Sequence, residues 1–168
     1  MNERSAKPSA VARRLAADLS ALEREALHGP HRAESLERLG ELYAAAGHHE
    51  LAMGAWQRRL DACTTAEERF VAALALARAA ERSLERWPEV MERYLQAHLY
   101  RPEHPAPLVR LALSAAARGE DPIAWLFAAR ASELDADCEP RGVLTREERA
   151  DFDALLERLR PRDVPRSR

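Results

Sequence analysis

Residues 36–60, LERLGELYAAAGHHELAMGAWQRRL, constrain this chain more than any other stretch, because two apolar stripes of helical period are separated by one glycine. Leu36, Leu39, Gly40 and Tyr43 stand at i, i+3, i+4 and i+7, one face of a first helix. Gly47 ends that helix, since glycine takes the left-handed cap conformation at little steric cost. Leu51, Ala52, Ala55, Trp56, Arg59 and Leu60 trace a second stripe of the same period. Gly40 and Ala52 let the two backbones approach, while Tyr43 and Trp56 fill the volume on either side. The pattern predicts two amphipathic helices joined by a tight turn, spaced like one unit of a repeat.

This stretch resembles the tetratricopeptide repeat (TPR). Leu36, Leu39, Gly40, Tyr43, Gly47, Ala52 and Trp56 occupy matching offsets, and Arg59 departs where that family usually has Ala. The motif is one of packing and carries no chemistry of its own.

Upstream, Val11, Leu15, Leu19, Leu22 and Ala26 form a stripe ended by Gly29-Pro30. Asp18 and Glu25 stand where a repeat wants small residues, so this segment is expected to be a capping helix. Downstream, Thr65-Ala-Glu-Glu68 has the form of a capping box opening a long helix to about Arg82. Trp87-Pro88 starts the next helix, with Val90, Met91, Tyr94, Ala97 and Leu99 as its buried face, ending before Arg101-Pro102. Val90 lies 38 positions after Ala52, against the family's 34, so the first helix of this unit gains about one turn. Ala124 lies 34 positions after Val90 and restores the period. Here Leu108, Leu111, Ala112 and Ala115 make the first helix, Gly119 its stop, and Asp121-Pro122 the next start. Thr145-Arg-Glu-Glu148, a second capping box, opens a last helix whose Phe152, Leu155, Leu156 and Leu159 cover the apolar side of the third unit.

The resemblance therefore implies an all-α fold, a right-handed α-solenoid of TPR-like helical hairpins with N- and C-terminal capping helices. The expected organisation is a disordered leader at 1–7, a single domain at 8–160, and a disordered tail at 161–168. Within the domain the units span about 33–63, 65–102 and 105–136, and the capping helices about 9–27 and 145–160.

Composition narrows function by exclusion. A chain of 168 residues with a formal net charge of −2 offers no general phosphate-binding surface. Lys7 is the only lysine; with Glu and Asp interspersed throughout, the arginine bias is read as GC-rich codon usage rather than nucleic-acid binding. The first residues lack an apolar signal core and no run approaches a membrane span, which points to a soluble, cytoplasmic protein. Cys63 and Cys138 are far apart and outside any CxxC pattern, so reduced thiols are expected.

Catalytic and metal chemistry find no support in the pattern. His48-His49-Glu50 lacks a third and fourth ligand at a known spacing, and HExxM at His49 to Met53 lacks the second histidine of a zinc-protease helix. His28, His31, His98 and His104 flank proline turns and are expected to be solvated loop or helix-end residues. No nucleophile elbow, triad signature or phosphate-cradling glycine loop occurs. The chain is expected not to be an enzyme and to need no cofactor or metal.

The family's first helices line a concave groove. Carrying that over places Glu34, Glu37, Glu41, Ala44 and Ala45 on the groove from the first unit, Glu68, Ala72, Ala75, Ala79 and Arg82 from the second, and Val109, Leu113 and Ala116 from the third. The expected groove is acidic at one end, shallow in the middle and apolar at the other. Glu37 and Glu41 exclude the family's carboxylate clamp, which needs Lys, Asn and Arg there. The function expected is an adaptor or chaperone-like module binding a peptide or helix of a partner protein, similar in architecture to bacterial type III secretion chaperones for translocators. The alternative is a self-associating structural component, such as a homodimer; nucleic acid and membrane are not expected partners.

Overall fold

The computed structural model describes residues 10–29, 31–83, 86–135 and 144–160, with side chains from residue 17 onward. The expected leader and tail, Pro30 and Cys138 lie outside the described residues. Every described element is an α-helix: α1 (Ala10–His28), α2 (Arg32–Ala45), α3 (His49–Asp61), α4 (Ala66–Arg82), α5 (Trp87–Tyr100), α6 (Ala106–Ala117), α7 (Asp121–Asp135) and α8 (Arg146–Leu159). Each helix packs against the next along the chain, and α8 packs on α6 as well as on α7.

Local chemistry sets the helix ends. Gly47 and Gly119 both take φ of 78°, the left-handed conformation. Each sits in the same cap: His48 N–H donates to Tyr43 O at 2.8 Å beyond α2, and Glu120 N–H to Ala115 O at 3.0 Å beyond α6. Both capping boxes form, with Thr65 and Glu68 opening α4 and Thr145 and Glu148 opening α8. The Glu68 carboxylate accepts from the backbone of Thr64 at 3.0 Å and of Thr65 at 3.2 Å. Those two N–H groups hold its pKa at about 2. Between α1 and α2, the Glu25 side chain folds over Gly29, where a Cβ would overlap it, and accepts from His31 N–H at 2.9 Å.

The core has two parts. A small one joins Ala26 of α1 to Leu36 and Leu39 of α2 and Ala55 of α3. Tyr43 closes it by donating its hydroxyl to Glu23 of α1 at 2.6 Å; that bond, chiefly, pushes the phenol pKa to about 12. The larger part runs from Ala52 and Trp56 through α4, α5 and α6 to Phe152 and Leu155 of α8.

Gly40 permits the α2–α3 contact, because a Cβ there would lie 2.5 Å from the Trp56 indole. Gly54, on α3, faces open space. The two positions should therefore respond oppositely. Gly54→Ala removes glycine's helix penalty and should stabilise by about 0.5–1 kcal/mol. Gly40→Val forces a rigid ring out of a packed site and should destabilise by about 2 kcal/mol. Urea midpoints compare them directly, and equal shifts would refute the close approach.

Polar side chains join α4, α5, α6 and α8. Glu81 of α4 accepts from Tyr94 of α5 at 2.7 Å, from Arg110 of α6 at 2.6 Å, and from the Ser114 hydroxyl. Arg110 also reaches Glu148 of α8 at 3.0 Å. Burial pushes the Glu81 carboxyl up, but the hydrogen bonds from Ser114, Arg110 and Tyr94 and the Arg110 charge outweigh it and hold it below the usual range. His104 corrects an expectation: it is buried, 4.7 Å from the Phe70 ring centroid, and its Nδ1 accepts from Ala106 N–H at 3.3 Å.

Candidate functional site

The face of α2 that carries Glu37 and Glu41 runs beside the face of α4 that carries Val71, Ala75, Arg78 and Arg82, and the two helices bound a cleft of about 570 Å³. Trp56 of α3 joins Phe70 and Leu74 in its apolar lining. The spacing of the α4 residues explains their convergence, since positions 71, 75, 78 and 82 recur at helical period on one side. Val71 is 43% exposed, so the cleft presents apolar surface to solvent.

The charges around the cleft are unequal in their freedom. Arg59 of α3 stands 3.9 Å from Glu37 and 3.5 Å from Glu68, and its own side chain is 11% exposed. It also donates to Cys63 Sγ at 3.0 Å, where burial pushes the thiol pKa up. Arg78 is paired with Glu148 at 3.4 Å. Glu41 and Arg82 are exposed on opposite walls, and among the described residues neither has an ion-pair or hydrogen-bond partner.

Of the residues expected to line a groove, Glu37, Glu41, Ala44, Ala75, Ala79 and Arg82 meet at this cleft. Glu68 and Ala72 line a smaller depression that shares Glu37, Trp56 and Val71 with it. Glu34 lies on another side of α2, beside Leu22 and Glu25 of α1, and the exposed Ala45 lines neither hollow. Val109 is fully buried, and Leu113 and Ala116 are half-buried against the core. The physical reason is that α5, α7 and α8 all pack on α6 and together leave only Ala117 of that helix exposed. The apolar end of the expected groove is thus closed within the fold, and the open part is the α2–α4 cleft.

Sequence reasoning missed Phe70, Val71, Leu74 and Arg78 as lining residues; Trp56, expected to pack, is buried in the core and also borders the cleft. The signal was present for Val71 and Arg78, each adjacent in sequence to a residue of the expected α4 face, Ala72 and Ala79. Among the described residues no three His, Cys, Asp or Glu side chains converge to hold a metal ion, and no helix is long and apolar enough to cross a membrane. No protein-family model and no curated protein matches this chain.

Proposed function

We propose that the chain is a TPR-like α-solenoid that works as a non-catalytic interaction module, an adaptor or chaperone-like protein taking a peptide or helix of a partner protein in the α2–α4 cleft. The observation that carries this reading is the cleft itself: apolar surface open to solvent at Val71, with the half-buried Ala44 and Ala75 beside it, bordered by the unpaired charges of Glu41 and Arg82. Support for the solenoid arrangement comes from the packing of each helix on its chain neighbour and from two identical glycine caps, at Gly47 and Gly119, in corresponding turns. A bacterial cytoplasmic setting, as in the secretion chaperones it resembles, belongs to the same proposal.

The test reverses charge on the α2 wall. Glu37→Arg with Glu41→Arg should abolish capture of the partner from the native cell, read by quantitative mass spectrometry, while far-ultraviolet circular dichroism is unchanged. Equal recovery of the same partners by both proteins would refute the cleft as the binding surface. A second reading, self-association, is favoured by Leu99 of α5 and Leu126 of α7, which are 76% and 65% exposed. Light scattering separates the two, because self-association raises the mass with concentration in the absence of any partner.

A further inference from the structure

Resting on the interaction reading above, we propose that the occupant of the α2–α4 cleft is one amphipathic α-helix. Its apolar seam covers Val71 and the half-buried Ala44 and Ala75, a basic residue on one edge meets Glu41, and an acidic residue on the other edge meets Arg82.

The helix follows from hydrogen-bond accounting. Both walls are α-helices, whose backbone groups are committed internally, and the lining offers only the side chains of Glu37, Glu41, Arg78 and Arg82 and the Trp56 indole as polar partners. An extended peptide lying over this apolar floor would desolvate its own N–H and C=O groups with almost nothing to receive them. A helix arrives with those bonds already made. The molecule already shows this mode of docking next door, where α8 lays Phe152 and Leu155 into the core and sets Glu148 against Arg78 and Arg110. Arg78 belongs to both places, so the cleft continues directly from the start of α8.

The edge charges follow from which residues are free. Glu37 and Arg78 face each other across the cleft but are each engaged, with Arg59 and Glu148 respectively. Glu41 and Arg82, about one turn further along their helices, are the opposed charges that remain. A uniformly basic ligand would gain at Glu41 and be repelled at Arg82, and a uniformly acidic one the reverse. Only a ligand with opposite charges on its two edges satisfies both walls.

Three synthetic helical peptides test this, sharing one Leu/Phe seam and differing only at the edge positions, which are Arg and Glu, Arg and Arg, or Glu and Glu. Fluorescence anisotropy with the full chain should show the mixed peptide binding about tenfold tighter than either uniform one. Glu41→Arg should transfer the preference to the Glu/Glu peptide, and Arg82→Glu should transfer it to the Arg/Arg peptide. Binding of the Arg/Arg peptide to the unmodified protein as tightly as the mixed one overturns the proposal. So does equal binding of a scrambled mixed peptide that lacks the seam, or no measurable binding of any of the peptides. Native-partner capture that still depends on Glu37 and Glu41 would in those cases leave the module reading intact and remove only this partner chemistry.

Discussion

Glu81→Ala should lower the unfolding free energy by about 3 kcal/mol, the lower end of what removing one partner of a buried ion pair costs. The lower end applies because the Glu81 and Arg110 side chains keep 18% and 23% of their surface. The loss is large because one carboxylate serves three helices: without it, the Tyr94 hydroxyl, the Arg110 guanidinium and Ser114 all lose an acceptor. Glu81→Gln keeps an acceptor oxygen and should lose less. The pH profile separates the charge from the packing. Glu81 is held below its ordinary 4.5, so its stabilisation is fully present above that value and is lost as pH falls below it. Burial, and then the charges of Arg130 and Arg101 respectively, hold His98 and His104 below 6.5, so the unfolded chain takes up protons there first and stability already declines as pH drops through about 6.5. Urea unfolding across pH should therefore show two declines. Glu81→Gln should flatten the lower one and leave the upper one in place; a profile in which both persist unchanged would remove Glu81 from its central role. Glu68, lowered to about 2 by its capping bonds, keeps some acid sensitivity in either protein.

Phe152→Ala should cost about 3–5 kcal/mol, the range for truncating a fully buried aromatic side chain. Phe152 is 1% exposed, the most deeply buried side chain of α8, with Leu155 buried and Leu156 and Leu159 half-buried beside it, so it is the largest apolar group docking that helix. Native-state hydrogen exchange should show protection falling in α8 and on α6 while α2 and α3 keep theirs. A loss below about 1 kcal/mol, or one spread evenly over all helices, would contradict the account of α8 as the cover of α6.

Helix boundaries were legible in the sequence because they are written in residues close together: Gly47, Gly119, Trp87-Pro88 and the two capping boxes each act within a turn. The α2–α4 cleft was partly legible for a related reason, since Glu37, Glu41, Ala75 and Arg82 follow from helical period once the hairpins are placed. What escaped depends on residues far apart in the chain. The last helix was expected to cover the third unit, but nothing near Val109 indicates that the residue assigned to the open groove is itself buried, and Glu148 reaches Arg78 across 70 residues. Arg59 looked like a misfit for a repeat position, yet it joins Glu37 of α2 and Glu68 of α4 to α3. His104 was read from its proline neighbours alone, and the ring of Phe70, 34 positions earlier, places it inside.

Glu148 has two duties in one carboxylate. Its Oε2 accepts from Thr145 N–H at 2.7 Å and so starts α8, while its Oε1 accepts from Arg110 at 3.0 Å and so fastens α8 to α6. Nucleation and anchorage therefore share a single group, and each makes the other easier: a docked carboxylate is already placed to cap, and a capped one is already placed to dock. Coil-to-helix ordering and attachment of the last segment thus become one cooperative event, which leaves little room for a state in which α8 is wound but adrift, or attached but unwound.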